Sequence, residues 1–421
     1  MFKKKYKIGI IGLGYIGLPL AHEFAKFHDV YGYDNNKKKI LDIKKNTKKK
    51  YILDKKSFNY SHNINNLKNC NIYIITVPTP IFKNKIPNLN HLINASKSIA
   101  KLLSKDDIVI YESTVYPGTT EDILIPILEK FSKLKYNIDF FCGYSPERLN
   151  PGSSFDDISK IVKITSGSNI KTSNKVDALY KQIVKAGTYK AESIKIAEAA
   201  KVIENCQRDL NIALINEFYL IFEKLKIDSY KILKAASTKW NFIPFKPGLV
   251  GGHCIGVDPY YLTYASKVNG YDPKVILSGR NINDRMSLSI VRIFMKNIVK
   301  YNFKVPSFKV LIMGFTFKED CEDIRNSKIY DLFINLSKKI KKIDIYDPIA
   351  NKENVKNTYG INLLEYPKLN HYDGILILNS HQNFKKMKLK NIIKFGKNKS
   401  IIYDFKNMFN MKSHIFLKKD V

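Results

Sequence analysis

A short glycine-rich segment near the start of the chain constrains the fold more than any other feature. Gly12-Leu13-Gly14-Tyr15-Ile16-Gly17 follows an apolar run and precedes a helical pattern. Glycines at these positions allow a tight turn and let a pyrophosphate approach backbone amides at the helix N-terminus. Asp34 ends the second predicted strand about twenty residues on, where a carboxylate meets adenosine ribose hydroxyls. The segment predicts a dinucleotide-binding unit; the alternative is a glycine-rich turn in an unrelated α/β protein.

Asp34 also bears on which dinucleotide binds. A carboxylate at this position repels the 2′-phosphate of NADP, so Asp34 favours NAD. Lys37, Lys38 and Lys39 follow closely and are compatible with a phosphate. At this point NAD is the expected cofactor, and NADP remains open.

Strand and helix patterns alternate from residue 7 to about residue 190. Predicted strands at 7–11, 30–34, 72–77 and 108–111 are rich in β-branched and aromatic residues and are bounded by turn signals. Such alternation is typical of a parallel sheet covered by helices.

The character of the sequence changes after residue 191. Residues 192–226 contain no Gly or Pro and have apolar residues at helical spacing, which predicts one long helix. Helical patterns continue at 230–236 and 275–300. Beyond Pro306, strand patterns return at 309–314, 343–346 and 374–378, with a helix at 328–338. We therefore expect an α/β fold with domains at 1–191, 192–305 and 306–421.

Composition excludes several classes of protein. The chain has 421 residues and a net charge of +33, but its lysines are scattered and not clustered. A scattered charge indicates a solvated surface and not a nucleic-acid or membrane-binding patch. No apolar stretch is long enough to cross a membrane. The five cysteines are an odd number without metal-site or disulfide spacing, so we expect a cytoplasmic protein with no structural metal.

The segment VGGHCIGVDP at 250–259 is the most unusual in the chain. Two glycines allow close approach of the backbone, and Cys254 is followed four residues later by Asp258. A structural cysteine usually lies in a periodic apolar pattern, whereas Cys254 lies among Gly, His and Asp. From this segment alone, a nucleophile and a core cysteine are equal alternatives.

Two further patterns suggest residues that take part in catalysis. Ala197, Lys201, Asn205 and Arg208 fall on one face of the long predicted helix, where a lysine suits stabilisation of an oxyanion. A solvated stripe is the alternative, and it is the better one for this face considered alone. Glu147 follows a predicted strand and suits a general base; the alternative is a capping or surface carboxylate.

These segments together resemble the UDP-glucose/GDP-mannose dehydrogenase family from the first glycine loop to about residue 383. The motifs are GLGYIGLPLA at 12–21, VPTP at 77–80, ESTVYPGTT at 112–120, SPERLNPG at 145–152, EAAKVIENCQRDLNIALINE at 198–217, KPGLVGGHCIGVDPYYL at 246–262 and GFTFKEDCEDIRNSK at 314–328. The resemblance implies two Rossmann-like domains joined by a long central helix and a helical middle domain. It also implies a homodimer formed through the middle domain.

The resemblance implies a role for individual residues. The implied catalytic residues are Cys254, Lys201, Asp258, Asn205, Glu147 and Thr114. The implied cofactor-binding residues are Gly12, Gly14, Tyr15, Ile16, Gly17, Asp34, Lys39, Pro78, Thr79, Thr114 and Arg325. The implied substrate-binding residues are Glu147, Arg148, Leu149, Asn150, Lys201, Asn205, Arg208, Gly251 and Lys318.

Two departures from the usual UDP-glucose pattern concern the substrate. HCIGVDPYYL differs around the cysteine, and Pro151 stands where UDP-glucose enzymes often carry a second glutamate. Both resemble the branch acting on UDP-N-acetylhexosamines, with UDP-N-acetylglucosamine the first expectation and UDP-N-acetylgalactosamine or UDP-glucose the alternatives. The implied reaction is an NAD-dependent, two-step oxidation of the C6 hydroxyl to a uronic acid through a thiohemiacetal and thioester on Cys254, for surface polysaccharide synthesis. A non-catalytic nucleotide-sugar sensor predicts loss of Cys254, Lys201 or Asp258, and all three are present.

Overall fold

The computed structural model describes residues 5–50, 58–149, 155–411 and 413–418. The chain divides into two compact units. The first unit is Met1–Glu204 with Tyr260–Asp272, and the second unit is Asn205–Pro259 with Pro273–Val421. The expected division into three domains stays a prediction.

The first unit is built on an eight-stranded sheet in the order β3-β2-β1-β4-β5-β6-β7-β8. Its strands are β1 (Lys7–Ile11), β2 (Asp29–Tyr33), β3 (Phe58–Ser61), β4 (Ile72–Ile75), β5 (Ile108–Tyr111), β6 (Phe141–Tyr144), β7 (Lys163–Gly167) and β8 (Thr188–Lys190). All neighbours are parallel except β6 and β7, which are antiparallel. The parallel expectation is wrong for this pair. The described part of their connection holds a short 3-10 helix, Phe155–Lys160, whereas a parallel return needs a longer crossover, usually an α-helix.

Both faces of this sheet are buried, as expected for parallel strands covered by helices. Ile72 and Ile74 of β4 pack into one apolar cluster, whereas Tyr73 and Ile75 pack into another. Successive side chains of a strand point to opposite faces, which explains the split. The covering helices are α1 (Gly17–Ala25), α2 (Lys37–Lys50), α3 (Asn90–Ala100), α4 (Ile125–Ser132) and α5 (Ile170–Tyr180).

The long predicted helix is confirmed as α6 (Ile194–Leu225), which has 32 residues. Uninterrupted helical spacing without Gly or Pro accounts for its length. The boundary between the two units falls within it, after Glu204. The following helices are α7 (Ser229–Ala236), α8 (Asp258–Val268) and α9 (Lys274–Lys300). Asp228 caps α7 by accepting hydrogen bonds from the amides of Tyr230 and Lys231.

The second unit contains a five-stranded sheet in the order β10-β9-β11-β12-β13. Its strands are β9 (Lys309–Met313), β10 (Lys342–Tyr346), β11 (Tyr372–Ile377), β12 (Gly396–Asp404) and β13 (Ile415–Leu417), of which β13 is antiparallel. The helices are α10 (Lys328–Ser337), α11 (Lys352–Tyr359), α12 (Gln382–Met387) and α13 (Leu389–Ile392). The prediction of a second α/β unit at the end of the chain is confirmed.

Candidate active site

The three glycines of the loop between β1 and α1 are needed for different reasons. Gly12 has a φ of +97°, which disfavours any side chain. A Cβ on Gly17 would lie 1.9 Å from the Gly12 carbonyl oxygen and 2.4 Å from Thr76 Oγ1. A Cβ on Gly14 would meet only Lys39 Nζ, at 3.9 Å. Gly12 and Gly17 therefore serve the turn itself, whereas Gly14 leaves open space suited to a pyrophosphate.

Asp34 lies directly after β2 and is held against this loop. Its Oδ2 accepts a hydrogen bond from the Leu13 amide at 3.0 Å and forms an ion pair with Lys39 Nζ at 2.7 Å. Its Oδ1 accepts a hydrogen bond from the Asn36 amide at 3.0 Å. A carboxylate oxygen accepts about two hydrogen bonds, so Oδ1 retains capacity for a ribose hydroxyl. The arrangement fits a dinucleotide, and Lys39 is directed to Asp34.

Further predicted cofactor residues follow β4 and β5, which are neighbours in the sheet. The Ser113 hydroxyl donates to the Val77 carbonyl at 2.6 Å, joining the segment of Pro78 and Thr79 to that of Thr114. Thr79 and Thr114 are half-buried. On the glycine loop, Tyr15 is exposed and Ile16 precedes α1. These residues share the carboxyl edge of a parallel sheet, where ligands bind in such folds.

The Glu147 side chain is held at the same edge by the backbone amides of the residues that follow it. Its Oε1 accepts hydrogen bonds from the amides of Arg148, at 2.7 Å, and Leu149. The Arg148 guanidinium pairs with Glu204 at 2.7 Å and donates to the Val162 carbonyl at 2.7 Å. Arg148 is thus directed to protein groups. Asn150, a predicted substrate residue, lies outside the described residues, as does Pro151.

Burial divides the predicted face of α6. Lys201 and Asn205 are 7% and 6% exposed, and Ala197 is fully buried. Arg208 is exposed. A solvated stripe therefore describes Arg208 but not Lys201 or Asn205. An ammonium removed from water interacts more strongly with nearby negative charge than a surface lysine does.

The cysteine loop is packed against the segment 314–328. A Cβ on Gly251 would lie 2.5 Å from the Asn326 carbonyl oxygen, and Gly252 has a φ of +76°. Asn326 Nδ2 donates to the Gly252 carbonyl at 2.9 Å. The Cys254 carbonyl oxygen accepts a hydrogen bond from the Asp258 amide at 2.8 Å, so the cysteine loop continues directly into α8. Asn326 was not identified from the sequence, although it lies in the last of the quoted motifs.

Cys254 differs from the other cysteines in exposure. It is half-buried, whereas Cys70, Cys142, Cys206 and Cys321 are buried. Burial raises the pKa of Cys70 and Cys206 to about 12, and also raises those of Cys142 and Cys321. Because the thiolate is the nucleophile, these four are poor candidates. The core-cysteine alternative fits them better than it fits Cys254.

Two predicted catalytic residues are in direct contact within the second unit. Asn205 Nδ2 donates to Asp258 Oδ2 at 2.5 Å, and both side chains are buried. Asn205 comes from α6 and Asp258 from the start of α8. The hydrogen bond orients the carboxylate, and it links the cysteine loop to the long helix.

The Arg325 guanidinium interacts electrostatically with Cys254. Arg325 donates to both carboxylate oxygens of Asp323, at 2.9 and 2.5 Å. Hydrogen bonding to Asp323 is the main cause of the raised pKa of Arg325, and Cys254 contributes to it. Burial, and then Arg325, lowers the pKa of His253. Asp323 was not identified from the sequence. That Arg325 reaches the cofactor stays a prediction, as does substrate binding by the half-buried Lys318.

The described residues contain no group of three or more His, Cys, Asp or Glu side chains that would hold a metal ion. None of the described helices is both long and apolar enough to span a membrane.

Comparison with known families decides the identity of this arrangement. Sequence models of the UDP-glucose/GDP-mannose dehydrogenase family match in three parts: the NAD binding domain at residues 6–184, the central domain at 195–285 and the UDP binding domain at 311–411. The chain belongs to the UDP-glucose/GDP-mannose dehydrogenase family. This confirms the resemblance, the Rossmann-like α/β fold class and NAD as cofactor, and it makes the chain an oxidoreductase.

Individual members of the family are similar over almost their whole length. The UDP-N-acetyl-D-glucosamine 6-dehydrogenase of Salmonella typhi is 51% identical over 95% of this chain and 96% of its own. The enzyme of the same name from Pseudomonas aeruginosa is 49% identical over 97% and 98%. Among solved structures, the UDP-D-ManNAc dehydrogenase of Pyrococcus horikoshii has a TM-score of 0.85 at 30% identity, covering 96% of each chain.

Proposed function

We propose that this dehydrogenase oxidises the C6 hydroxyl of a UDP-N-acetylhexosamine, first of all UDP-N-acetylglucosamine, to a carboxylate for surface polysaccharide synthesis. The observation that carries the proposal is the cysteine loop, where the half-buried Cys254 accepts through its carbonyl the amide hydrogen bond of Asp258, whose carboxylate is held by Asn205. The names of the two relatives near 50% identity support the choice of sugar.

The first oxidation needs a base and a site for negative charge. Asp258 takes the C6 hydroxyl proton, and the Asn205 amide orients its carboxylate. Lys201, one helical turn before Asn205, stabilises the developing oxyanion, and its burial makes that stabilisation stronger than it would be in water. NAD, when bound, accepts one hydride in each of the two oxidations.

The second oxidation and the release of product need covalent chemistry. The Cys254 thiolate bonds to the aldehyde carbon and gives the oxyanion of a thiohemiacetal, which becomes a thioester when it loses a hydride. A water oxygen then bonds to the acyl carbon, the carbon–sulfur bond breaks and the Cys254 thiolate leaves. Glu147 accepts the proton of the attacking water, with Thr114 helping to hold that water. The covalent bond retains the aldehyde between the two oxidations.

A substrate panel tests the proposal. NADH formation is measured with UDP-GlcNAc, UDP-GalNAc, UDP-ManNAc and UDP-glucose, and the acid product is identified by mass. We expect two NADH for each acid and a higher kcat/KM for UDP-GlcNAc or UDP-GalNAc than for UDP-glucose. A preference for UDP-glucose would contradict the N-acetylhexosamine assignment, and an absence of NADH with every sugar would contradict the activity.

We also propose a homodimer formed through α6. Leu214, Ile221 and Leu225 lie at positions of one helical face and are 47%, 45% and 60% exposed. An exposed apolar stripe of this kind marks an interaction surface. Ile221→Glu is expected to convert a dimer to a monomer in light scattering after gel filtration. A wild-type monomer would contradict the proposal.

The state of the five cysteines indicates the cellular compartment in which the enzyme works. None of Cys70, Cys142, Cys206, Cys254 and Cys321 forms a disulfide bond. Cysteines without disulfide bonds suit a reducing environment, so we propose that the enzyme works in the cytoplasm. The proposal includes no nucleic-acid or membrane partner.

A further inference from the structure

Glu147 belongs to a cluster of charged and polar side chains in the first unit. The cluster consists of Glu112, Glu147, Lys163 and Tyr180, and it is called the Glu147 cluster below. Lys163 Nζ lies 2.7 Å from Glu112 Oε2 and 3.8 Å from Glu147 Oε2. Two carboxylates therefore share one ammonium. The side chains of Glu112 and Lys163 are 0% and 7% exposed, so water screens these charges little.

The cluster also determines how the Glu147 carboxylate is oriented. Backbone amides of Arg148 and Leu149 hold Oε1, which leaves Oε2 toward the Lys163 ammonium. The Glu147 amide donates to the Glu112 carbonyl at 3.4 Å, so the two glutamates are joined through the backbone as well. Neither oxygen of Glu147 is therefore free to rotate without losing a partner.

Glu112 holds the ammonium in its place. The Tyr180 hydroxyl donates to Glu112 Oε1, and Lys163 Nζ lies 5.3 Å from the centre of the Tyr180 ring. Burial raises the pKa of Tyr180, so its hydroxyl stays protonated and continues to donate. Burial is also the main influence that raises the pKa of Glu112; Lys163 opposes the rise and Glu147 adds to it. Glu112 thus responds to the charges of both Lys163 and Glu147.

We infer that Lys163 is a positioning residue for Glu147, and that Glu112 controls how strongly the Lys163 ammonium acts on it. This inference rests on the proposed function, in which Glu147 accepts a proton during thioester hydrolysis. In that step the water oxygen bonds to the acyl carbon, the Cys254 thiolate leaves and the proton goes to a carboxylate that must be ionised. Lys163 holds the Glu147 carboxylate aligned, while Glu112 partly neutralises the same ammonium.

The variants Lys163→Met and Glu112→Gln should change the pH dependence of acid release in opposite directions. Among the described residues of the first unit, Lys163, Glu112 and Tyr180 interact electrostatically with Glu147, whereas the neighbouring Arg148 is paired with Glu204. Lys163→Met leaves two carboxylates without a cation, so the acidic limb of acid release should move to higher pH. Glu112→Gln leaves the ammonium to Glu147 alone, so this limb should move to lower pH.

Rapid-quench kinetics on the full-length enzyme with UDP-GlcNAc and NAD test the inference. The acyl-enzyme on Cys254 is followed by protein mass and released acid by product mass, from pH 5 to 9. For Lys163→Met we expect NADH formation in the first turnover, accumulation of acyl-enzyme and acid release about tenfold slower at pH 7. The acidic limb of the release rate should move up by about one pH unit.

Three further variants separate positioning from a purely structural role. Glu112→Gln should move the acidic limb down, and the double variant Glu112→Gln/Lys163→Met should return it toward that of the wild type. Lys163→Arg should keep the wild-type limb because it keeps the charge. Unchanged limbs in Glu112→Gln and Lys163→Met would overturn the inference. If Lys163→Met does not fold, the isosteric Glu112→Gln decides alone: a downward shift supports the inference, and an unchanged limb overturns it. A wild type that forms no NADH contradicts the proposed function instead.

Discussion

The loop at Gly12–Gly17 and the loop at Gly251–Gly252 both depend on glycine, but for different reasons. In the first loop, the atoms that exclude a Cβ from Gly17 belong to Gly12, in the same turn, and to Thr76. In the second, the atom that excludes a Cβ from Gly251 belongs to Asn326, far along the chain. The first loop is a local turn built for a cofactor. The second is shaped by packing against a distant segment, and its spacing alone does not reveal its function.

The largest expected effect separates chemistry in the second loop from binding in the first. Cys254→Ala removes the nucleophile, so acid formation should fall by about three powers of ten or more. Binding of NAD and the UDP-sugar, measured by calorimetry, should remain. Cys70→Ala is the control, because this buried thiol lies outside the cysteine loop and its loss should affect mainly stability. Near-normal acid production by Cys254→Ala would require direct oxidation of an aldehyde hydrate.

The glycines themselves give the second prediction. Gly17→Ala forces a clash within the cofactor loop, and we expect the Kd for NAD to rise about tenfold or more. Gly251→Ala pushes the cysteine loop from Asn326, so kcat should fall about tenfold while NAD binding persists. Gly14→Ala is the matched control for folding, since its Cβ would have open space. Equal losses of NAD affinity in Gly17→Ala and Gly251→Ala would erase the distinction between the loops.

Asp34 in the cofactor site gives the third prediction. Asp34→Ala should weaken NAD binding about tenfold through loss of a charged hydrogen-bond acceptor, and it should narrow the preference for NAD over NADP. Lys39→Met removes the ion pair but keeps the carboxylate, so the preference for NAD should survive. Initial rates with both cofactors at subsaturating concentration provide the measurement. A wild type that is faster with NADP would show that the lysines outweigh Asp34.

The smallest expected effect concerns the pH dependence of the free energy of unfolding, to which the two units contribute differently. Glu198 in the first unit accepts hydrogen bonds from the Gly118 and Thr120 amides, and burial raises its pKa from 4.5 to about 7. Between these values the folded state keeps a proton that the unfolded state has lost. The free energy of unfolding therefore falls as pH rises through this range.

Variants of the two units should change this pH dependence in opposite ways. Glu198→Gln should remove the fall between pH 4.5 and 7, as measured by urea unfolding midpoints. His253 in the second unit has a lowered pKa, so it costs stability as pH falls below its usual 6.5. His253→Asn should remove that loss and leave the Glu198 effect in place. An unchanged profile in Glu198→Gln would contradict the role assigned to burial of this carboxylate.

The sequence alone determined the features that depend on nearby residues. The strand–turn–helix at Gly12–Gly17, the place of Asp34 after β2 and the length of α6 all follow from turn chemistry and periodicity over short distances. The family motifs identified Cys254, Asp258 and the α6 residues as candidates. The antiparallel pairing of β6 with β7 was missed, since periodicity does not state the direction in which a strand returns.

Which of these residues meet, and which are buried, depends on the packing of the folded chain. Folding joins Asn205 to Asp258, packs Gly251 against Asn326 and directs Arg148 to Glu204. It also separates the buried Lys201 from the many surface lysines, and it places Lys163 between Glu112 and Glu147. These contacts join strands and helices that are distant in the chain, so they depend on the pairing of the sheet and on packing, which local spacing does not encode.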